Sequence, residues 1–237
     1  MTPAVIEMTG VSKAYGGLRP LRIHQLTVGA AERVAIVGFD QPSAEVFVNL
    51  TTGATLPDAG TVSLFGRSTA AIADCADWLA VVDRFGIVSG RAVLLDTLTV
   101  IQNLAMPFTL DIEPPADDVR ARAEALAAEA GLAPAVWARR VGDADAASRA
   151  RIRLARSLAL DPRVLLLEHV SAQLDPESAR AFAADVRAIA ARREAAVIAL
   201  TADEAFATVV AARVLKLEPA TGRLAERRRR WFRRGLG

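Results

Sequence analysis

Two stretches of this 237-residue chain hold side chains whose types and spacing suit chemistry. The first is Val164-Leu165-Leu166-Leu167-Glu168-His169-Val170-Ser171-Ala172-Gln173-Leu174-Asp175. An apolar run ending in an acid and a polar turn predicts a buried parallel strand, and open α/β sheets bind ligands at the carboxyl ends of such strands. Glu168 and His169 would stand at the strand end, with Asp175 closing the loop. An imidazole there suits proton transfer near neutral pH. The second is Arg33-Val34-Ala35-Ile36-Val37-Gly38, a buried strand that stops at glycine, followed by Phe39-Asp40-Gln41-Pro42-Ser43-Ala44-Glu45-Val46 and a helix through Phe47–Leu50 to Gly53.

A glycine after a buried strand is where a phosphate loop, G-x-x-x-x-G-K-[ST], should begin. In that loop backbone N–H groups curl around phosphate, Lys neutralises charge and the hydroxyl holds magnesium. Length and flanks agree with the pattern, but the functional letters do not. Ser43 stands for the second glycine, Ala44 for the lysine and Glu45 for the hydroxyl, and Pro42 has no N–H to offer. Each missing charge-assisted hydrogen bond forfeits about 1.5–3 kcal/mol of phosphate binding. Glu45 adds a like charge against any phosphate, and a second reading makes it a built-in anion at the helix N-terminus, favoured by the helix dipole.

The stretch from Val164 to Asp175 resembles the Walker B strand and D-loop of ABC-transporter ATPases, written LLLLDEPTSALD. In that resemblance Glu168 holds the magnesium-side acid position, His169 that of the catalytic Glu, and Asp175 that of the D-loop Asp. Tyr15, after the strand Val5–Tyr15 and before Gly16-Gly17, holds the position of the aromatic that stacks on adenine. Leu56–Gly66 resembles the family's LRPDSGTVRLFG. Gly90 falls at the Q-loop glutamine, and Ala202, in Thr201-Ala202-Asp203, at the switch histidine. The family's LSGGQxQRVAIARAL is matched in its helix by Arg151, Ala155, Arg156 and Leu158, whereas Asp145 replaces the signature serine and Ala146-Ala147 its glycines. The resemblance therefore implies nucleotide-site positions at Tyr15, Gly38, Ser43, Ala44, Glu45, Val46, Gly90, Asp145, Glu168 and Asp175, mostly degenerate. The catalytic positions, His169 and Ala202, are degenerate too.

One region keeps its likeness. Leu94–Phe108 is similar to the family's LLPHLTVLENVALPL, which borders the groove for the membrane subunit. The resemblance thus implies partner docking at Leu94, Leu95, Leu98, Val100 and Met106, against the reading of ordinary core. The arginines at 149, 151, 153 and 156 read as a solvated helix face in preference to a nucleic-acid stripe.

Composition narrows the classes further. No apolar run reaches the roughly 18–20 residues of a membrane span, and the N-terminus lacks a signal-peptide pattern. The single Cys75 excludes an internal disulfide, pointing to a reducing cytosol. With two histidines, His24 and His169, a zinc site is not expected. The net charge of +2 hides six arginines within residues 227–234, which leave −4 on the remainder. That tail, with Arg227, Arg228, Arg229, Arg230, Trp231 and Phe232, suits an anionic bilayer, at roughly 1 kcal/mol per surface Arg, as well as it suits a solubilising tail.

The expected fold is α/β, of the P-loop NTPase-like ABC ATPase type. It has a mostly parallel core sheet, an N-terminal antiparallel β subdomain and a helical subdomain at about 98–158, within an ABC-like domain 1–224 and a tail 225–237. The resemblance implies a cytoplasmic subunit peripheral to the inner membrane, docked on a transmembrane permease as homodimer or heterodimer; the departures from its motifs imply a catalytically degenerate subunit to which no cofactor is assigned. Two alternatives remain: an ATP-hydrolysing subunit using ATP and Mg through unusual motifs, and a soluble regulator of ABC fold.

Overall fold

The structure is a computed structural model and describes residues 3–226. The chain opens with two long antiparallel strands, β1 (Ala4–Lys13) and β2 (Leu21–Gly29), then β3 (Arg33–Val37) and helix α1 (Gln41–Thr51). A short hairpin follows, β4 (Ala59–Leu64) and β5 (Arg67–Ser68), then α2 (Cys75–Val82) and β6 (Phe85–Ser89). Next come three helices, α3 (Val100–Ala105), α4 (Asp117–Glu129) and α5 (Ala146–Ser157). The chain returns to the sheet with β7 (Val164–Glu168), α6 (Pro176–Arg192), β8 (Ala196–Thr201), α7 (Glu204–Val210), β9 (Arg213–Glu218) and β10 (Arg223–Glu226).

These strands form a four-stranded antiparallel sheet, in order β2-β1-β4-β5, and a six-stranded sheet, in order β10-β9-β3-β8-β7-β6. The larger sheet is parallel except for its β9–β10 edge. Its central strands are buried on both faces, as all-parallel strands must be. Because side chains alternate along a strand, Ala35, Val37, Leu165, Leu167, Val197 and Ala199 pack against α3–α7. Val34, Ile36, Val164, Leu166 and Ile198 pack instead against α1 and the antiparallel sheet. The helical lobe has no separate core; Leu104, Leu126 and Ile152 belong to one continuous apolar cluster with the sheet.

The expected fold class is what the molecule adopts, with two local differences. Helix α1 begins at Gln41, inside the stretch that the phosphate-loop pattern reads as loop, so only Gly38–Asp40 separate it from β3. The body also runs past residue 224, because β10 pairs Glu226 with Leu215. The tail residues Arg227–Phe232 lie outside the described residues. Among the described residues no helix is long and apolar enough to cross a membrane.

Candidate functional site: the carboxyl ends of the core strands

Parallel strands deliver their last residues to one edge, and β7 delivers Glu168, with its side chain fully buried. A lone buried carboxylate would be costly. This one is satisfied from two sides. Arg91, two residues past the end of β6, donates Nε at 3.1 Å and Nη2 at 2.8 Å to the two carboxylate oxygens, in the two-pronged geometry that suits guanidinium and carboxylate. The Gln41 amide on the first residue of α1 donates to Glu168 as well. The other arm of Arg91 reaches Glu45 of α1, Nη1 to Oε1 at 2.9 Å. One guanidinium thus lies between the acid at the magnesium-side position and the acid at the hydroxyl position. Bonding to Glu168 raises the Arg91 pKa further above its usual range, with Glu45 adding to it.

The start of α1 is closed in the same manner. Asp40 is the N-cap and accepts the Ser43 amide at 2.9 Å, while the Ser43 hydroxyl accepts the Asp40 amide at 3.1 Å, a reciprocal capping box. The Ser43 hydroxyl and amide hold the Asp40 carboxyl below the usual carboxylate range. The built-in anion at this helix N-terminus is therefore Asp40, and the assignment of that role to Glu45 is corrected. Glu45 lies a turn into the helix, facing Arg91. Ala44, at the lysine position, is fully buried. Val46 packs partly buried against the antiparallel-sheet side of the core. Gly38 is needed for a reason of packing: its φ is +105°, and a Cβ there would meet the Leu217 carbonyl oxygen of β9 at 2.9 Å.

Tyr15 joins this neighbourhood, lining a shallow pocket with Gly38, Asp40 and Ser43. Its ring lies over Gly17, where a Cβ would approach within 2.9 Å, and burial raises its pKa. His169 follows Glu168 with φ +48° and its amide bound to the Leu200 carbonyl at 2.9 Å. Its Nε2 is buried and has no hydrogen-bond partner among the described residues. With Gln41, Gly90, Arg91, Arg153, Glu168 and Gln173 it lines a cavity of about 220 Å³. Gly90 contributes only backbone there, its carbonyl accepting from Arg153 at 3.4 Å. Ala202 is exposed beside Asp203, the N-cap of α7. Among the described residues no cluster of three or more His, Cys, Asp or Glu side chains is placed to hold a metal ion.

The remaining acids at motif positions act as helix caps. Asp145 caps α5, accepting the Ser148 amide at 2.6 Å, and Asp175 caps α6, accepting the amides of Ser178 and Glu177 at 2.9 and 3.0 Å. Both carboxyls are held below the usual range by these bonds, Asp145 by the Ser148 amide first and Asp175 by Ser178. The α5 arginines are not a solvated face, which corrects that reading. Arg151 pairs with Asp185, and Arg149 with Asp96 at 2.9 Å. Arg153 donates to the Ala92 carbonyl at 3.1 Å and Arg156 to that of Val93 at 2.7 Å. Burial lowers the pKa of both Arg153 and Arg156. Of the docking positions, Leu94 and Val100 are core, at 6% and 2% exposed, and so are not available to a partner. Leu98 and Met106 are half-buried, and Leu95 is exposed beside the more exposed Val93.

Known proteins bear on this arrangement. The chain is 30% identical over 202 residues to the lipoprotein-releasing system ATP-binding protein LolD of Chromohalobacter salexigens, covering 85% of this chain and 83% of that one. The chain belongs to the ABC transporter ATP-binding protein family. The nickel import ATP-binding protein NikO of Rhodobacter capsulatus is 34% identical over 187 residues, covering 78% and 72% of the two chains. In fold, the chain is similar to the dimeric post-hydrolysis ATP-binding cassette MJ0796 bound to ADP and Pi, with TM-score 0.75 and 19% identity over 93% of this chain and 98% of that one. No protein-family model matches the chain.

Arg91 and Gln41 are the residues that motif reading passes over. Arg91 stands one position beyond the aligned glutamine, and a cation adjacent to a vacant motif position is its only signal in the sequence.

Proposed function

We propose that this subunit is a pseudo-ATPase, a binding and assembly module that docks on a transmembrane permease and neither holds nor hydrolyses Mg-ATP. The observation that carries this reading is the closure of the nucleotide edge by the chain's own charges. Magnesium would need a free carboxylate, and both oxygens of Glu168 are engaged by Arg91. Phosphate would need the open N–H groups of a helix start, and Asp40 and Pro42 occupy that start. Lysine is replaced by buried Ala44. The residues present do not fit the nucleotide and metal that the family implies, and no hydrolytic step runs through them. His169 lacks a held substrate on which to act as a base.

In this reading the protein works at the cytoplasmic face of the inner membrane, as one half of a dimer with a second copy or with a competent ATPase chain. The dimeric cassette MJ0796 supports the pairing. In a mixed pair Asp145 would set a negative charge where the partner's nucleotide needs a hydroxyl, so both composite sites would be impaired. The exposed Leu95 and Val93 supply apolar surface for the permease. LolD and NikO carry names for lipoprotein release and nickel import, and those two cargoes differ too much to assign one here. The arginine-rich tail would add anionic-membrane contact, and deletion of residues 227–237 should weaken liposome binding.

Calorimetric titration of the full chain with Mg-ATP tests the proposal. No saturable binding at millimolar nucleotide is expected. Saturable binding would overturn it and restore the hydrolytic reading.

A further inference from the structure

Residues 90–96, which lead from β6 toward the helical lobe, are bonded on both sides. Toward the sheet, Arg91 joins Glu168 of β7 and Glu45 of α1. Toward the lobe, Arg153 and Arg156 of α5 donate to the carbonyls of Ala92 and Val93. Asn103 of α3 bonds both the amide and the carbonyl of Leu95, at 2.9 and 3.0 Å, and is itself fully buried. Arg149 closes the series on Asp96. Most of these bonds have a charged donor, the stronger class of hydrogen bond. Arginines half-buried against backbone carbonyls hold a fixed geometry because a guanidinium presents its donors in a rigid plane.

We infer that residues 90–96 form a ligand-independent strut, in which the half-exposed Arg91 is a permanent cation that, alongside the shared apolar core, ties this segment of the helical lobe to the core sheet. Arg91 is a positioning residue: it holds the segment, and the segment holds the orientation of α3 and α5. The consequence is that Val93, 71% exposed, and Leu95, 38% exposed, are presented in one constant arrangement. On the docking reading proposed above, a surface held this way is offered to the permease at all times, with no bound effector needed to order it.

Hydrogen exchange on the full chain, without nucleotide, reads the strut directly. The Ala92 amide bonds the Ser89 carbonyl at 3.1 Å and the Leu95 amide bonds Asn103. Both should exchange slowly in the wild type. Arg91→Gln combined with Glu168→Gln neutralises the buried carboxylate and its half-exposed partner together and should speed both amides by about tenfold or more while amides of β8 keep their rates. If that variant does not fold, Glu45→Gln with Arg153→Gln loosens the two accessible ends and should act on the same amides. Fast exchange at Ala92 and Leu95 in the wild type would overturn the strut. So would unchanged rates in the variants, or acceleration of β8 in step with the segment. No nucleotide enters this measurement, so it succeeds or fails separately from the calorimetric titration.

Discussion

Of the acids at motif positions in this chain, two do opposite work. Glu168 at the end of β7 is buried and bound by Arg91 and Gln41, so its charge is held inside the protein and tied to two other elements. Asp145 at the start of α5 is exposed and serves its own helix by capping the Ser148 amide. The first depends on residues 77 and 127 positions away, the second on a residue three positions on. A replacement at a motif position therefore has no meaning by itself. Local hydrogen bonding fixes its role at a helix end, and distant partners fix it at a strand end.

Breaking the long-range member should have the largest effect. Arg91→Ala strands the buried Glu168 carboxylate; removal of one partner of a fully buried pair costs about 3–5 kcal/mol. Because Arg91 is half-exposed and Gln41 still bonds Glu168, the lower end, about 3 kcal/mol, is expected. Urea denaturation of the full chain should show that loss, and adding Glu168→Gln should recover a large part of it. A double variant no more stable than Arg91→Ala would mean that the pair is weakly coupled. Next in size is Ala44→Lys, which restores the phosphate-loop letter at a fully buried position. Overpacking there is expected to lower stability by about 1–3 kcal/mol without any gain of Mg-ATP binding by calorimetry. A gain in binding would show that a lysine at this position is enough to hold nucleotide.

The local member should respond less. Asp40→Ala and Asp145→Ala each remove an N-cap, about 0.5–2 kcal/mol by thermal or urea unfolding. Asp145→Ser restores the family letter and keeps a good cap, so stability should change by less than ~0.5 kcal/mol. The pH dependence sharpens the same contrast. Asp40, Asp145 and Asp175 all have carboxyl pKa values held below the ordinary range by hydrogen bonds to helix-start groups. A group depressed in the folded state stabilises above its unfolded value, near ~3.9 for Asp, and that stability is lost as pH falls through the folded value. Unfolding followed from about pH 6 to pH 3 should therefore steepen below about pH 4, and Asp145→Ser should flatten the slope slightly.

Short-range information accounts for what can be read along the chain. Apolar runs such as Val164–Leu167 and Val34–Val37 announce strands buried on two faces, and spacing between the motif stations carries the ABC architecture. The alanine-rich segments that form α4 and α6 are legible for the same reason, as is the emptiness of the phosphate-loop letters. The early start of α1 escapes such reading because its signal, Asp40 with Ser43 three positions on, is a capping pattern lying inside a motif that suggests a loop. Leu94 and Val100 resemble surface positions in sequence because apolar residues near a predicted groove read alike whether they face in or out.

The sequence by itself determined the fold, its element order and the absence of the phosphate-loop lysine and hydroxyl letters, since each of these is written in residues close together along the chain. Only the tertiary structure decided what neutralises Glu168 and what the α5 arginines hold. Those contacts join residues that are far apart in sequence and meet only when β6, β7 and α1 bring their ends to one edge of the sheet. A guanidinium's partner is set by which carboxylate lies within reach after packing, and one-dimensional spacing carries no record of that distance.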